Sequence, residues 1–110
     1  MQSSKPKSLK SKINSRQKGA QGEREWAKFL TAHGFPSTRG FPLKDNLCES
    51  LSYIHFEVKR VENLNIYDAL AQAARDGGPK KVPVVAHRKN GKEWLITLPA
   101  SAFLEGLSDG

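Results

Sequence analysis

Cysteine is nearly missing from this chain, which has 110 residues and a single cysteine, Cys48. One cysteine forms no intrachain disulfide and gives no paired spacing of the kind that zinc sites use. No apolar run is long enough to span a bilayer, and the basic N-terminus lacks the apolar stretch of a secretory signal. These absences predict a protein of the reducing cytoplasm with no membrane association.

Acidic residues are missing from the first 18 positions, which hold six basic residues and so carry +6 of the formal net charge of +7. The six are Lys5, Lys7, Lys10, Lys12, Arg16 and Lys18. Residues 1–17 are predicted to be a disordered basic arm, and residues 18–107 one folded domain. The arm favours a polyanionic partner, most simply nucleic acid, although a solubilising tail has the same composition.

The first half of the domain is predicted to contain a helix and a hairpin. Apolar residues at helical spacing follow residues 18–21, and Gly34 ends that helix. An irregular strand over about residues 45–50 then turns into the strongest strand of the chain, over about residues 53–61.

The second half is predicted to contain a crossover helix, two strands and a last helix. Asn65 caps the crossover helix, and Gly77-Gly78-Pro79 ends it. Residues 82–87 form a compact apolar strand, and Asn90-Gly91 turns the chain into a return strand over residues 94–98. We expect a last helix over about residues 100–106, with Phe103 and Leu104 packed. The order predicts an α/β fold, a mixed sheet flanked by helices.

The strong strand carries the pattern Glu57-Val58-Lys59. Because side chains alternate along a strand, Glu57 and Lys59 share one face while Phe56 and Val58 point into a core. A carboxylate beside an ammonium suits a site that holds Mg²⁺ or Mn²⁺ and activates a water. Glu57 and the Val58 carbonyl supply oxygens, and Lys59 orients or activates the water.

Such a site needs one more acid, and the upstream strand offers Asp45 or Glu49. His55 alternates onto the same face as Glu57, at the edge of the site or as a hydrogen-bonded structural histidine. A solvent-facing ion pair is the competing interpretation of Glu57 and Lys59.

The ordered motifs resemble the PD-(D/E)XK nuclease superfamily, most closely small phage and prophage nucleases related to Holliday-junction resolvases. The resemblance covers about residues 14–106, and its matching stretches are residues 18–25, 45–60, 65–76 and 87–95. It implies a restriction-endonuclease-like fold of order αβββαββ and a metal-dependent DNA endonuclease that leaves a 5′-phosphate and a 3′-hydroxyl. It also implies a homodimer, because two cuts on a branched junction need two sites.

The resemblance implies a role for each matching residue. Asp45 falls at the first metal-binding acid, Glu57 at the second and Lys59 at the catalytic lysine. Glu23 on the first helix matches an acid directed toward the metal or its waters, and Gln72 matches a residue that borders the site. The sequence departs from the family at Lys44, where a small residue or proline usually precedes the acid.

DNA backbone contacts are expected from basic residues of the arm and of the loops near the site. The residues are Lys10, Lys12, Arg16, Lys18, Arg39, Lys44, Arg88 and Lys89. The departure at Lys44 motivates the alternative of a catalytically inactive nucleic-acid-binding module on the same fold. An assembly protein whose tail binds nucleic acid incidentally is a third hypothesis.

Overall fold

The helices and strands come from two stretches of the chain. The computed structural model describes residues 19–37 and 51–109, with the exception of the Asp109 side chain. The elements in chain order are α1, described over residues 19–32, β1 Ile54–Arg60, α2 Ile66–Gly77, β2 Val82–Arg88, β3 Leu95–Thr97 and α3 Ala100–Asp109. In these two stretches none of the helices combines the length and the apolarity needed to cross a bilayer.

The described strands form one mixed sheet in the order β1-β2-β3. β1 and β2 are parallel, with Ile54 opposite Val82 and Arg60 opposite Arg88. Since parallel neighbours need a crossover, the chain leaves one end of β1 and returns through α2 to the other end. β2 and β3 are antiparallel across the predicted Asn90-Gly91 turn, where Gly91 has a φ of 71° that favours glycine.

α1 and α2 pack on opposite faces of the sheet. The Trp26 ring of α1 contacts the Phe56 ring edge to face at 5.4 Å between centroids. α2 lies on the other face, where Gly77 approaches His55. The central strand β2 is therefore covered on both sides, and Val84, Val85 and Ala86 are buried.

Both ends of α2 confirm the sequence prediction. The Asn65 side chain caps the helix by accepting a hydrogen bond from the Asp68 backbone N–H at 3.1 Å. At the other end Gly78 has a φ of 78°, and its backbone N–H donates to the Ala74 carbonyl. The crossover helix thus begins and ends where its local residues specify.

The prediction that Phe103 and Leu104 are packed in the last helix is wrong. Their exposed fractions are 53% and 60%, and Leu107 on the same helix is 63% exposed. An apolar stripe is buried only where another element lies against it. In the described part of the chain, α1 and α2 already cover the two faces of the sheet, which leaves these α3 side chains exposed.

The predicted strand over about residues 45–50 lies outside the described residues, so the order αβββαββ is compared only in part. The described part reads α1, β1, α2, β2, β3, α3. The predicted arm, residues 1–17, also lies outside.

Candidate active site

The alternation of β1 places three ionisable residues on the face that α2 covers. They are His55, Glu57 and Lys59, whose side chains are 27%, 16% and 30% exposed. Phe56 and Val58 point to the other face and join the core around Trp26. The sequence predicts this division of the β1 side chains between the two faces of the sheet.

The Glu57 carboxylate lies between two basic groups. Its Oε1 atom is 3.8 Å from Nε2 of His55, and its Oε2 atom is 3.7 Å from Nζ of Lys59. Both distances exceed the normal length of a hydrogen bond. The carboxylate therefore makes no direct hydrogen bond to either group.

α2 presents a second polar row, at positions four residues apart on one helix face: Asp68, Gln72 and Asp76. One oxygen of Asp76, one of Glu57 and one imidazole nitrogen of His55 all lie within 4.8 Å of one another. Further along α2, Gln72 and Lys59 line the same cavity of about 260 Å³. The crossover thus brings the α2 row against the β1 row.

Glycine at position 77 allows α2 to lie this close to β1. A Cβ atom placed there would be 2.5 Å from Cβ and 2.9 Å from Cγ of His55. Real Cβ atoms do not approach so closely, and the atoms in the way belong to the stem of His55 and not to a flexible tip. The spacing between His55 and the end of α2 therefore depends on glycine.

We predict that Gly77→Ala lowers the free energy of unfolding by about 1–3 kcal/mol, the usual cost of overpacking. The gain in helix propensity, about 1 kcal/mol, only partly offsets this cost. Gly106→Ala in α3 is the matched control, because nothing lies within 4 Å of its added Cβ. Urea unfolding should show Gly77→Ala destabilised and Gly106→Ala unchanged or stabilised; equal effects would contradict the close contact.

The structure brings together Glu57, Lys59 and Gln72 among the residues predicted for the site. Glu23 lies on α1, and α1 packs on the opposite face of β1, where Gly22 approaches Arg60 and Val58. The role of Glu23 therefore stays a prediction. Asp45 and its alternative Glu49 lie outside the described residues, as do the predicted DNA contacts Arg39 and Lys44.

The basic residues predicted to contact DNA divide into two groups. The first group, Lys10, Lys12 and Arg16 of the arm together with the adjoining Lys18, lies outside the described residues. Arg88 lies on the α1 side, with its guanidinium 3.9 Å from the Glu25 carboxylate and 5.7 Å from the centre of the Trp94 ring. Lys89 is exposed beside the β2–β3 turn, which leaves its ammonium open to a partner.

Arg60 connects three elements at the end of β1. Its Nε donates to Glu25 Oε1 of α1 at 2.7 Å, and its Nη2 donates to the Asn90 side chain at 2.9 Å. The Asn90 backbone N–H donates in turn to Glu62 at 2.7 Å. These charge-assisted bonds connect α1, the strand end and the β2–β3 turn, and they hold the sheet edge next to Lys59.

His87 occupies the β2 position opposite Lys59. Its Nε2 is 2.9 Å from the Thr97 hydroxyl. Burial lowers the pKa of His87 below its ordinary value of 6.5, because desolvation penalises the charged imidazole. His87 is therefore neutral in the folded protein over a wider pH range than in the unfolded chain.

We predict that acidification destabilises the fold through His87. The contribution of neutral His87 to the free energy of unfolding is fully present above about pH 6.5, where His87 is neutral in both the folded and the unfolded state. This contribution is lost as the pH falls through the lowered pKa of the folded state. His87→Gln should flatten the change in urea midpoint on going from about pH 7.5 to pH 5, because an amide does not titrate. An unaltered slope in His87→Gln would contradict the prediction.

Two parts of this site were not assigned from the sequence. Asp76 is the more important, and its signal is the spacing of four residues from Gln72 on the same helix. The Arg60–Glu25 pair is the other, and it joins residues 35 positions apart, so no local pattern indicates it.

Comparison with protein-family models, with curated proteins and with solved structures finds no match. The function is therefore argued from the geometry.

Proposed function

We propose that the protein is a metal-dependent DNA endonuclease that hydrolyses phosphodiester bonds. The observation that carries the proposal is the pairing of Glu57 and Lys59 on one face of β1, with Lys59 Nζ 3.7 Å from Glu57 Oε2. Beside this pair is a cavity that Lys59 lines together with Gln72. An ammonium and an amide around one cavity, with a partly buried carboxylate next to the ammonium, match the needs of phosphoryl transfer.

The donor atoms at this site fit a hard divalent ion. Glu57 offers carboxylate oxygens, and the strand pattern of the sequence adds the Val58 carbonyl and either Asp45 or Glu49. Mg²⁺ or Mn²⁺ would supply polarisation of a phosphoryl oxygen and a lowered pKa of a water. Glu57 would hold that ion, because β1 fixes the carboxylate on the face that α2 covers.

Lys59 has the second role at the site. Its ammonium carries positive charge into the cleft, where it orients the attacking water or stabilises charge that develops on the phosphate. The Gln72 amide borders the same cavity and has both donor and acceptor groups for the phosphate or the water. Glu57 keeps the ammonium near the cleft through their electrostatic attraction.

The charge distribution supports DNA as the substrate. Residues 1–18 hold six of the basic residues and no acid, in a chain of net charge +7. Such a segment binds phosphates without reading sequence. We propose that the enzyme acts in the cytoplasm as a homodimer on branched DNA, because paired cuts at a junction need two sites.

The proposal is tested by cleavage of supercoiled plasmid, linear duplex and a four-way junction with Mg²⁺, with Mn²⁺ and with a chelator. Cleavage should need the metal, favour the junction and disappear in Glu57→Gln. Glu93→Gln is the matched control, because Glu93 is an exposed residue of the β2–β3 connection. DNA binding without cleavage under every metal condition would instead support the inactive binding module.

A further inference from the structure

We propose that His55, Glu57 and Asp76 form a divalent-cation site that takes Mn²⁺ in preference to Mg²⁺. The inference deepens the proposed function and rests on it for the role of the cation in cleavage. Binding of the cation is measured without DNA, so the two are tested separately.

The geometry of the three side chains is the first support. One ligand atom from each lies within 4.8 Å of the others. Ligands of one octahedral ion with metal–ligand bonds of about 2.1–2.3 Å lie about 3–4.5 Å apart. The three groups are therefore spaced about as the ligands of one ion are, and the separation of 3.8 Å between His55 Nε2 and Glu57 Oε1 falls inside that range.

The backbone holds two of the three ligands rigidly. Glu57 and His55 stand two residues apart on one face of a strand that is paired with β2. Asp76 belongs to the last turn of α2, next to Gly77, whose close approach to His55 fixes the spacing of the two elements. Ligands on a strand and a helix keep their separation better than ligands on loops.

The position of Asp76 at the C-terminal end of α2 adds an electrostatic argument to the geometry. The C-terminus of a helix carries partial negative charge, so cations are favoured there and an acid is not. Asp76 adds a carboxylate to this end, close to Glu57 on the strand. A divalent cation between them interacts favourably with both carboxylates and with the helix terminus.

The chemistry of the donors favours Mn²⁺ over Mg²⁺. Mg²⁺ prefers oxygen ligands in strict octahedral geometry and retains its waters, whereas imidazole suits first-row transition ions. Two carboxylates and one histidine form a mixed set that Mn²⁺ accepts. The two Glu57 oxygens then have different roles, because Oε1 lies toward His55 and Oε2 toward Lys59.

The inference is tested by titrating the metal-free full chain with Mn²⁺ and following free Mn²⁺ by electron paramagnetic resonance. One ion should bind per chain, and Mg²⁺ should compete poorly. His55→Gln and Asp76→Asn should each weaken binding by about tenfold or more, the usual scale for loss of a ligand or its support. His55→Gln retains the Cβ that contacts Gly77, and a thermal unfolding curve for each variant verifies that it is folded.

A matched control completes the test. Asp68 is on the same row of α2, two turns from Asp76, and Asp68→Asn should leave Mn²⁺ affinity unchanged. Unchanged affinity in both His55→Gln and Asp76→Asn, or equal affinity of the wild type for Mg²⁺ and Mn²⁺, would overturn the inference.

The outcomes for the cation site and for the nuclease can be told apart. Mn²⁺ binding that depends on His55 and Asp76, without DNA cleavage, would retain the cation site and reject the nuclease. Metal-dependent cleavage that Glu57→Gln abolishes, with Mn²⁺ affinity indifferent to His55 and Asp76, would retain the nuclease and reject this ligand set.

Discussion

Lys59→Met is expected to slow the proposed DNA cleavage by about 10²–10⁴-fold, the range associated with loss of a group that assists proton transfer or charge stabilisation. Methionine retains an apolar stem of similar length, so the walls of the cavity shared with Gln72 stay in place. The ammonium, 3.7 Å from Glu57 Oε2, is lost. The rate should be measured in single turnover with saturating metal, so that product release does not hide the chemical step.

Two further variants make this result specific. Lys80→Met removes the same charge from an exposed residue that follows α2, and it should leave the rate within about twofold of the wild type. Lys59→Arg should restore little activity, because a planar guanidinium has a different shape and binding geometry from an ammonium. Equal losses in Lys59→Met and Lys80→Met would show that overall charge, and not the position of Lys59, determines cleavage.

The sequence predicts the parts of the fold that depend on local chemistry. Asn65 caps α2 because its side chain reaches a backbone N–H three residues on, and Gly78 ends the helix because it adopts a positive φ. The Asn90-Gly91 turn is also set by local residues, because Gly91 adopts the positive φ that such a turn needs. The shared face of Glu57 and Lys59 follows from strand alternation alone, so half of the candidate site is readable from eight consecutive residues, 53–60.

The remaining features depend on how separate elements meet. Asp76 approaches His55 only because α2 crosses back over β1 at the distance that Gly77 permits. Arg60 has core-facing parity, yet it is held at the strand end by Glu25 of a helix far away in sequence. The prediction that α3 packs Phe103 and Leu104 is wrong, because periodicity gives the face of a helix and not its partner.

The core that supports the site depends on one aromatic residue, and Trp26→Ala is expected to cost about 3–5 kcal/mol of unfolding free energy. Trp26 is 3% exposed and contacts the rings of Phe29, Phe56 and Trp94 at centroid distances of 5.4, 5.4 and 5.1 Å. Phe56 precedes Glu57 on β1, so a cavity here loosens the strand that carries the site. Because the total free energy of unfolding of such domains is about 5–15 kcal/mol, the expected loss is a large share of the stability.

Trp26→Phe distinguishes lost volume from lost hydrogen bonding. The indole Nε1 of Trp26 is buried and has no hydrogen-bond partner among the residues that the structure describes. A buried donor without a partner is costly, so phenylalanine removes that penalty while it retains a ring against Phe56. We expect Trp26→Phe to lose less than half of what Trp26→Ala loses in urea unfolding followed by circular dichroism. Tyr67→Ala, at an aromatic residue that is 82% exposed, should change stability by less than about 0.5 kcal/mol, and a similar loss at Tyr67 and Trp26 would contradict the packing of this core.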